Sequence, residues 1–113
     1  MKKNEMSTEQ QIKHLQDTLY VVNGKWKLPI LTAIHKGNSR FRDIQRSVNG
    51  ITTKVLSKEL KDLEQNKLVL RKVYDTSPPT VEYTTSKYCD TLEKMILEMI
   101  DWGSKHYHKI REK

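Results

Sequence analysis

The sequence contains one cysteine, three prolines and four glycines among its 113 residues, and these shortages exclude several classes of protein. A single cysteine, Cys89, allows neither an internal disulfide nor a cysteine-based zinc cluster. It fits a reducing cytosol, so we expect a cytoplasmic protein. No apolar run approaches the length of a membrane span, and the N-terminus lacks the apolar core of a signal peptide, so no membrane partner is expected.

Patterns for catalysis and for metal binding are also missing from the sequence. It contains no nucleophile elbow, no paired-histidine metalloprotease motif and no phosphate-cradling glycine loop. We therefore expect no enzyme and no cofactor. His106 and His108 point in different directions on a helix, which argues against a metal site even when His14 and His35 are counted.

What the chain has in excess is positive charge, and that charge is unevenly distributed. It carries 21 basic and 14 acidic residues, with a net charge of +7. Residues 36–72 hold ten Lys or Arg and four Asp or Glu, so nearly all of the excess lies in that third of the chain. This distribution favours a polyanionic partner. The length supports a single domain, residues 1–113, with one modest core.

Apolar spacing and turn residues predict a winged helix-turn-helix, a fold class that is mainly α with a small β-hairpin. Asn49 and Gly50 form a turn between the third and fourth helices, which makes them a helix-turn-helix. Two segments rich in β-branched and aromatic residues, 68–75 and 80–86, are predicted strands joined by a proline loop. The predicted helices cover residues 12–23, about 25–36, 41–47, 52–65 and 88–107, while residues 1–10 are expected to fray.

The fourth predicted helix is amphipathic, and its polar side suits duplex DNA. Its apolar stripe is formed by Val55, Leu56, Leu60 and Leu63. Hydroxyl groups on the other side can bond to base edges and lysines can reach phosphates, so we predict that this side enters the major groove. In an isolated helix, an ordinary solvated face would be the simpler interpretation. The polar side consists of Thr53, Lys54, Ser57, Lys58 and Lys61.

The ends of the predicted contact surface can also be placed. Asp62 and Glu64 would repel phosphates, so DNA contact should stop before them. On the hairpin, Arg71, Lys72 and Tyr74 lie where their side chains could reach the phosphate backbone or the minor groove.

The last predicted helix has an apolar face that lies outside the compact core of a single small domain. We predict that it forms a homodimer interface together with the first helix. The alternative is that it folds back onto its own domain. The predicted interface residues are Leu15, Leu19, Leu92, Met95, Ile96, Met99, Ile100 and Trp102.

Four short motifs occur in order: NGKWK at 23–27, SRFRDI at 39–44, GIT at 50–52 and PPTVEY at 78–83. Together they resemble the HxlR-type winged-helix transcriptional regulators of bacteria, over about residues 12–103. The resemblance implies a homodimer that binds a pseudo-palindromic double-stranded operator and regulates nearby genes, by repression rather than activation. It also implies recognition by Thr52, Thr53, Lys54, Ser57 and Lys58, supported by Arg40 and Arg42 and by Arg71 or Lys72 on the wing.

The chain departs from this family at two positions that bear on thiol sensing. Lys13 stands where several relatives that sense electrophiles or oxidants carry a cysteine, and Cys89 stands where relatives usually have a glycine. A reactive thiol needs exposure and a lowered pKa, so an inert Cys89 is the default and a Cys89-dependent redox regulator is an alternative.

Two further alternatives stay open. A winged helix can dock on an acidic protein surface, which would make this chain a protein-interaction module. A dimer of the family's architecture could also hold a small-molecule effector between the first and last helices, although packing accounts for the same residues. The effector pocket would be lined by Tyr20, Met95, Met99 and Trp102.

Overall fold

The helices and strands follow the predicted order in the structure, a computed structural model that describes residues 5–112. Within that range lie five helices and one two-stranded antiparallel sheet, so the mainly helical fold with a hairpin is confirmed. The elements are α1 (Thr8–Val22), α2 (Lys27–His35), α3 (Phe41–Ser47), α4 (Thr53–Gln65), β1 (Val69–Tyr74), β2 (Thr80–Thr85) and α5 (Asp90–Ile110).

Helix α1 begins at Thr8, ahead of the predicted start at residue 12, because Ser7 and Gln10 form a capping box. The Ser7 hydroxyl accepts from the Gln10 N–H over 3.1 Å, and the Gln10 side chain accepts from the Ser7 N–H over 3.0 Å. The expectation of a frayed segment is therefore wrong for residues 8–10, while residues 1–4 lie outside the described part of the chain. Helix α5 is also shifted, from the predicted 88–107 to Asp90–Ile110.

The core lies between α2, α3, α4 and the start of β1. Burying each of its large aliphatic side chains stabilises the fold by about 1.5–3 kcal/mol. The predicted stripe of α4 supplies three of these side chains, and Val55 packs against them while staying partly exposed. The fully buried residues are Ile30, Leu31, Ile44, Leu56, Leu60, Leu63, Leu68 and Val69.

The hairpin is attached to the helix-turn-helix by its second strand. Arg71 pairs with Tyr83 across the hairpin, and Lys72 pairs with Glu82. The Tyr83 N–H also donates to the Ser39 carbonyl, over 2.8 Å, in the loop that leads into α3. This bond fixes the wing beside the start of α3.

Helices α1 and α5 contribute little to the core. Val22 is the only buried residue of α1, and α5 has none among its 21 residues. Large apolar side chains on both helices stay exposed in the single chain, including Leu15, Leu19 and Ile100. Among the described helices, none combines the length and apolarity that a membrane span requires.

Candidate nucleic-acid interface

The start of α4 is held by hydrogen bonds from its own cap and from α3. The Thr52 hydroxyl accepts from the Val55 N–H over 3.2 Å, as an N-cap does. From α3, Gln45 donates through Nε2 to the Ile51 carbonyl over 3.3 Å and to the Thr53 hydroxyl over 3.2 Å. These bonds fix the first turn of α4 against α3. Nothing in the sequence pattern distinguished Gln45 from other solvent-facing residues, so its role was not predicted.

The structure brings the predicted recognition residues of α4 together on one exposed surface. Lys54, Ser57, Lys58 and Lys61 point away from the buried leucines, whereas Thr52 and Thr53 are exposed at the N-terminus of the helix, next to α3. We call this surface the recognition face. It consists of Thr52, Thr53, Lys54, Ser57, Lys58 and Lys61, all of them exposed.

An acidic flank borders the recognition face. Glu59 and Asp62 lie three residues apart on α4, and the buried Lys27 at the start of α2 reaches both of them. Its Nζ is 2.6 Å from Glu59 Oε2 and 3.6 Å from Asp62 Oδ2. Asp62 Oδ2 also lies 3.5 Å from Nζ of Lys58 on the recognition face. The sequence pattern did not predict this cluster, although two carboxylates three apart beside an apolar stripe are a usable signal of a basic partner.

Arg40 and Arg42 lie next to this surface in different ways. Arg42 is exposed and lines a surface depression together with Gln45 and Thr53, which places it beside the start of α4. Arg40 precedes α3, and its Nη2 lies 3.8 Å from Oε1 of Glu82 on the wing. Arg42 therefore borders the recognition face, whereas Arg40 joins the helix-turn-helix to the wing.

The basic residues of the wing are divided between its two faces. Lys72 stands opposite Glu82, and its ammonium lies 4.9 Å from the centroid of the Tyr74 ring. The Tyr74 hydroxyl donates to Glu82 Oε2 over 3.4 Å. Arg71 is adjacent to Lys72 in β1 and points to the other face, since side chains alternate along a strand. Tyr74 and Arg40 thus both contact Glu82, Lys72 stands opposite it on the same face, and Arg71 points away from this group.

The residues predicted for a dimer interface differ in exposure. Leu92 packs against the core of its own domain, and Met95 and Ile96 are half-buried. The others project into solvent: Leu15, Leu19, Met99, Ile100 and Trp102. Of the predicted effector pocket, Tyr20 is exposed, and Trp102 stacks on His106 with ring centroids 4.6 Å apart.

Cys89 has neither property that a reactive thiol needs. Its side chain lies in the core, with 6% of its surface exposed. Burial raises the pKa of the Cys89 thiol above its ordinary value, and the neighbouring charge of Asp90 raises it further. The thiol is therefore protonated and shielded near neutral pH. In the described range, residues 5–112, no three His, Cys, Asp or Glu side chains are grouped to hold a metal ion.

Comparison with known proteins identifies the family of this chain. The HxlR-like helix-turn-helix family matches residues 21–111 of the chain. The chain belongs to this family. The resemblance carried by its four motifs is thereby confirmed, and this HxlR-like protein is a DNA-binding transcriptional regulator, a class that is not typically enzymatic.

Individual relatives agree with this assignment. The HTH-type transcriptional regulator YdeP of Bacillus subtilis (strain 168) is 36% identical over 96 residues, which cover 85% of this chain and 75% of YdeP. The redox regulator HypR in its reduced form is 34% identical with a TM-score of 0.81, covering 86% of this chain and 96% of HypR. The HTH-type transcriptional regulator ytcD is 35% identical with a TM-score of 0.79, covering 91% of this chain and 99% of ytcD.

Proposed function

We propose that this HxlR-like regulator is a homodimeric repressor that reads a pseudo-palindromic operator with the N-terminal half of α4. The observation that carries the proposal is the recognition face: hydroxyls and ammonium groups stand exposed on a helix whose first turn is bonded to α3. A helix presented in this way fits the major groove. In a two-fold dimer the two α4 helices would engage half-sites about 34 Å apart, one turn of DNA.

Within the recognition face, the residues have different proposed roles. Thr53 and Ser57 offer hydroxyls that bond to base edges and so carry sequence preference. The lysines at positions 54, 58 and 61 contact phosphates, which gives affinity for any duplex. Thr52 belongs to this surface while capping α4, and Arg42 adds a phosphate contact beside Thr53.

On the wing we assign the DNA contact to Lys72 and Tyr74 rather than to Arg71. Lys72 and Tyr74 lie on the wing face that is connected through Glu82 to Arg40, and Arg71 points away from that face. Arg71 is also exposed. Because it points to the other side of the hairpin, it can reach a phosphate only if the DNA approaches that side.

The proposed dimer interface consists of the exposed apolar surfaces of α1 and α5. Leu19 and Trp102 are each more than half exposed in the single chain, and pairing two copies would remove such side chains from water. Repression rests on the likeness to the family: a dimer bound to an operator over a promoter would block polymerase. We also propose that the regulator is cytoplasmic, because bacteria such as Bacillus subtilis, the organism of YdeP, hold their DNA in the cytoplasm.

Selection of duplexes from a random-sequence pool, followed by footprinting, tests this function. We expect the enriched duplexes to contain two inverted half-sites, each protected by the protein, and we expect transcription in vitro from a promoter bearing such a duplex to fall as protein is added. A footprint over a single half-site would contradict the dimer, and unchanged or increased transcription would contradict repression. Competition with random duplex distinguishes this function from docking on an acidic protein surface. A DNA-binding protein should also bind the random duplex nonspecifically, whereas a protein-interaction module should bind it little.

A further inference from the structure

The most deeply buried charged group of the described chain lies against the recognition helix rather than on it. The Lys27 side chain is 9% exposed, and the Glu59 side chain it meets over 2.6 Å is 13% exposed. Lys27 is the first residue of α2, and Glu59 lies in the middle of α4, 32 positions later in the chain. This ion pair therefore joins two helices through a site from which water is largely excluded.

Burial makes this pair more consequential than the other ion pairs of the chain. Exposed pairs such as Lys105 with Asp101, 2.9 Å apart on α5, are screened by solvent and salt. A buried pair is screened much less, and removal of one member leaves the other charge without compensation. Lys27 can therefore fix the angle at which α4 is rotated about its own axis, because Glu59 and Asp62 both lie on the flank of α4 that faces α2.

The same contacts control the charge next to the recognition face. Asp62 is shared by Lys27 and Lys58, with Nζ to Oδ2 distances of 3.6 and 3.5 Å. Without the ammonium of Lys27, the carboxylate of Glu59 would lose this ion-pair partner, and Asp62 would be left to Lys58. Both effects disfavour the contact of Lys58 with a phosphate.

From these contacts we propose that Lys27 is a positioning residue for sequence recognition, which sets the orientation of α4 and neutralises its acidic flank without touching DNA. This inference rests on the proposed function of α4. It predicts that loss of Lys27 harms specific binding more than nonspecific binding, because base-edge bonds need an exact helix orientation whereas phosphate contacts tolerate rotation.

The test compares two probes: a duplex that the wild-type protein enriches from a random pool, and a random-sequence duplex of the same length. For Lys27→Met, we expect the ratio of the two affinities to fall roughly tenfold, the size of one lost base contact. The matched control Lys105→Met also removes one positive charge from an ion pair and should keep the wild-type ratio. The double variant Lys27→Glu with Glu59→Lys exchanges the two charges and should recover most of the wild-type ratio. If the single substitution acted only by disturbing the packing at either position, the exchange would not restore the ratio.

The outcomes distinguish this inference from the function on which it rests. A wild-type ratio in Lys27→Met, with thermal unfolding showing a folded protein, overturns the role of Lys27 and leaves operator binding intact. If Lys27→Met does not fold, Glu59→Gln replaces it, since that variant leaves Lys27 beside Asp62; an unchanged ratio there overturns the inference and a reduced ratio supports it. If the wild-type protein enriches no duplex, the proposed function is wrong and the inference falls with it.

Discussion

The side-chain amide of Gln45 in α3 donates to the hydroxyl oxygen of Thr53 in α4 over 3.2 Å. The same amide donates to the Ile51 carbonyl in the turn between the two helices. One short side chain thus holds together the two helices of the helix-turn-helix at the point where α4 begins. Thr53 is a proposed base contact, so its hydroxyl is oriented from behind by a residue of the preceding helix.

We expect Gln45→Ala to lower the free energy of unfolding by about 1 kcal/mol for the lost bonds and to weaken sequence preference. Thermal unfolding and affinities for enriched and random duplexes measure the two effects. Gln16→Ala, at an exposed position of α1, is the control and should change neither. If both glutamine variants behave alike, Gln45 does not position Thr53.

The cap of α4 gives a prediction about stability. Thr52→Ala removes the hydroxyl that accepts from the Val55 N–H, and we expect a loss of about 1 kcal/mol in the free energy of unfolding. Thr52→Ser retains the hydroxyl and should keep most of that stability. Urea denaturation measures these differences. The midpoints can be compared directly if the slope of the free energy of unfolding against urea concentration is the same for all variants. Equal midpoints for all three proteins would show that the cap contributes nothing.

Cys89 gives a prediction about pH. Because the folded protein raises the pKa of this thiol, the folded state holds its proton more tightly than the unfolded state does. The stabilising contribution is complete below the unfolded pKa, about 9.0, and is lost as the pH rises through the folded pKa. We expect the urea midpoint of the wild-type protein to fall relative to that of Cys89→Ala above about pH 9.

The same burial predicts that Cys89 does not respond to oxidants in the folded protein. After peroxide or diamide treatment near neutral pH, non-reducing electrophoresis should show no covalent dimer, and mass spectrometry should show no mixed disulfide. Either product at Cys89 in the folded protein would restore the redox alternative. The description of HypR as a redox regulator applies to HypR and is not evidence that this chain has a reactive thiol.

The apolar surfaces of α1 and α5 give a prediction about assembly. Leu19→Asp places a charge in the proposed interface at a position that is 61% exposed in the single chain, so the domain should still fold. We expect sedimentation equilibrium to show a dimer for the wild-type protein and a monomer for this variant. Val73→Asp, at an exposed apolar position of the wing outside α1 and α5, is the control and should remain dimeric. Dissociation of both variants to the same extent would place the interface elsewhere.

Much of the fold could be predicted because its signals are local. The leucine spacing of α4, the Thr52 cap and the proline loop of the hairpin each lie within a few residues of the structure they specify. The early start of α1 was also readable, since Ser7 and Gln10 have the spacing of a capping box, but the apolar spacing alone places the start later.

The contacts that orient α4 could not be predicted in this way. Lys27 meets Glu59 across 32 positions, and that meeting depends on how α2 and α4 cross once their apolar faces are buried. Similarly, the division of Lys72 and Arg71 between the two faces of the wing depends on the strand register. The sequence therefore predicted which residues form the recognition face and left open which residues hold it in place.

The central claim is that the exposed face of α4 divides into residues that bind phosphates and residues that read bases. Binding measured over a salt series, with several duplexes of different sequence, tests it most directly. We predict that Lys58→Ala weakens binding to all duplexes alike and reduces the salt slope by about 1 for each protomer. We predict that Ser57→Ala keeps the slope and changes the ranking of the duplexes. Identical slopes and rankings for the wild-type protein and both variants would contradict the assignment of α4 as the recognition helix.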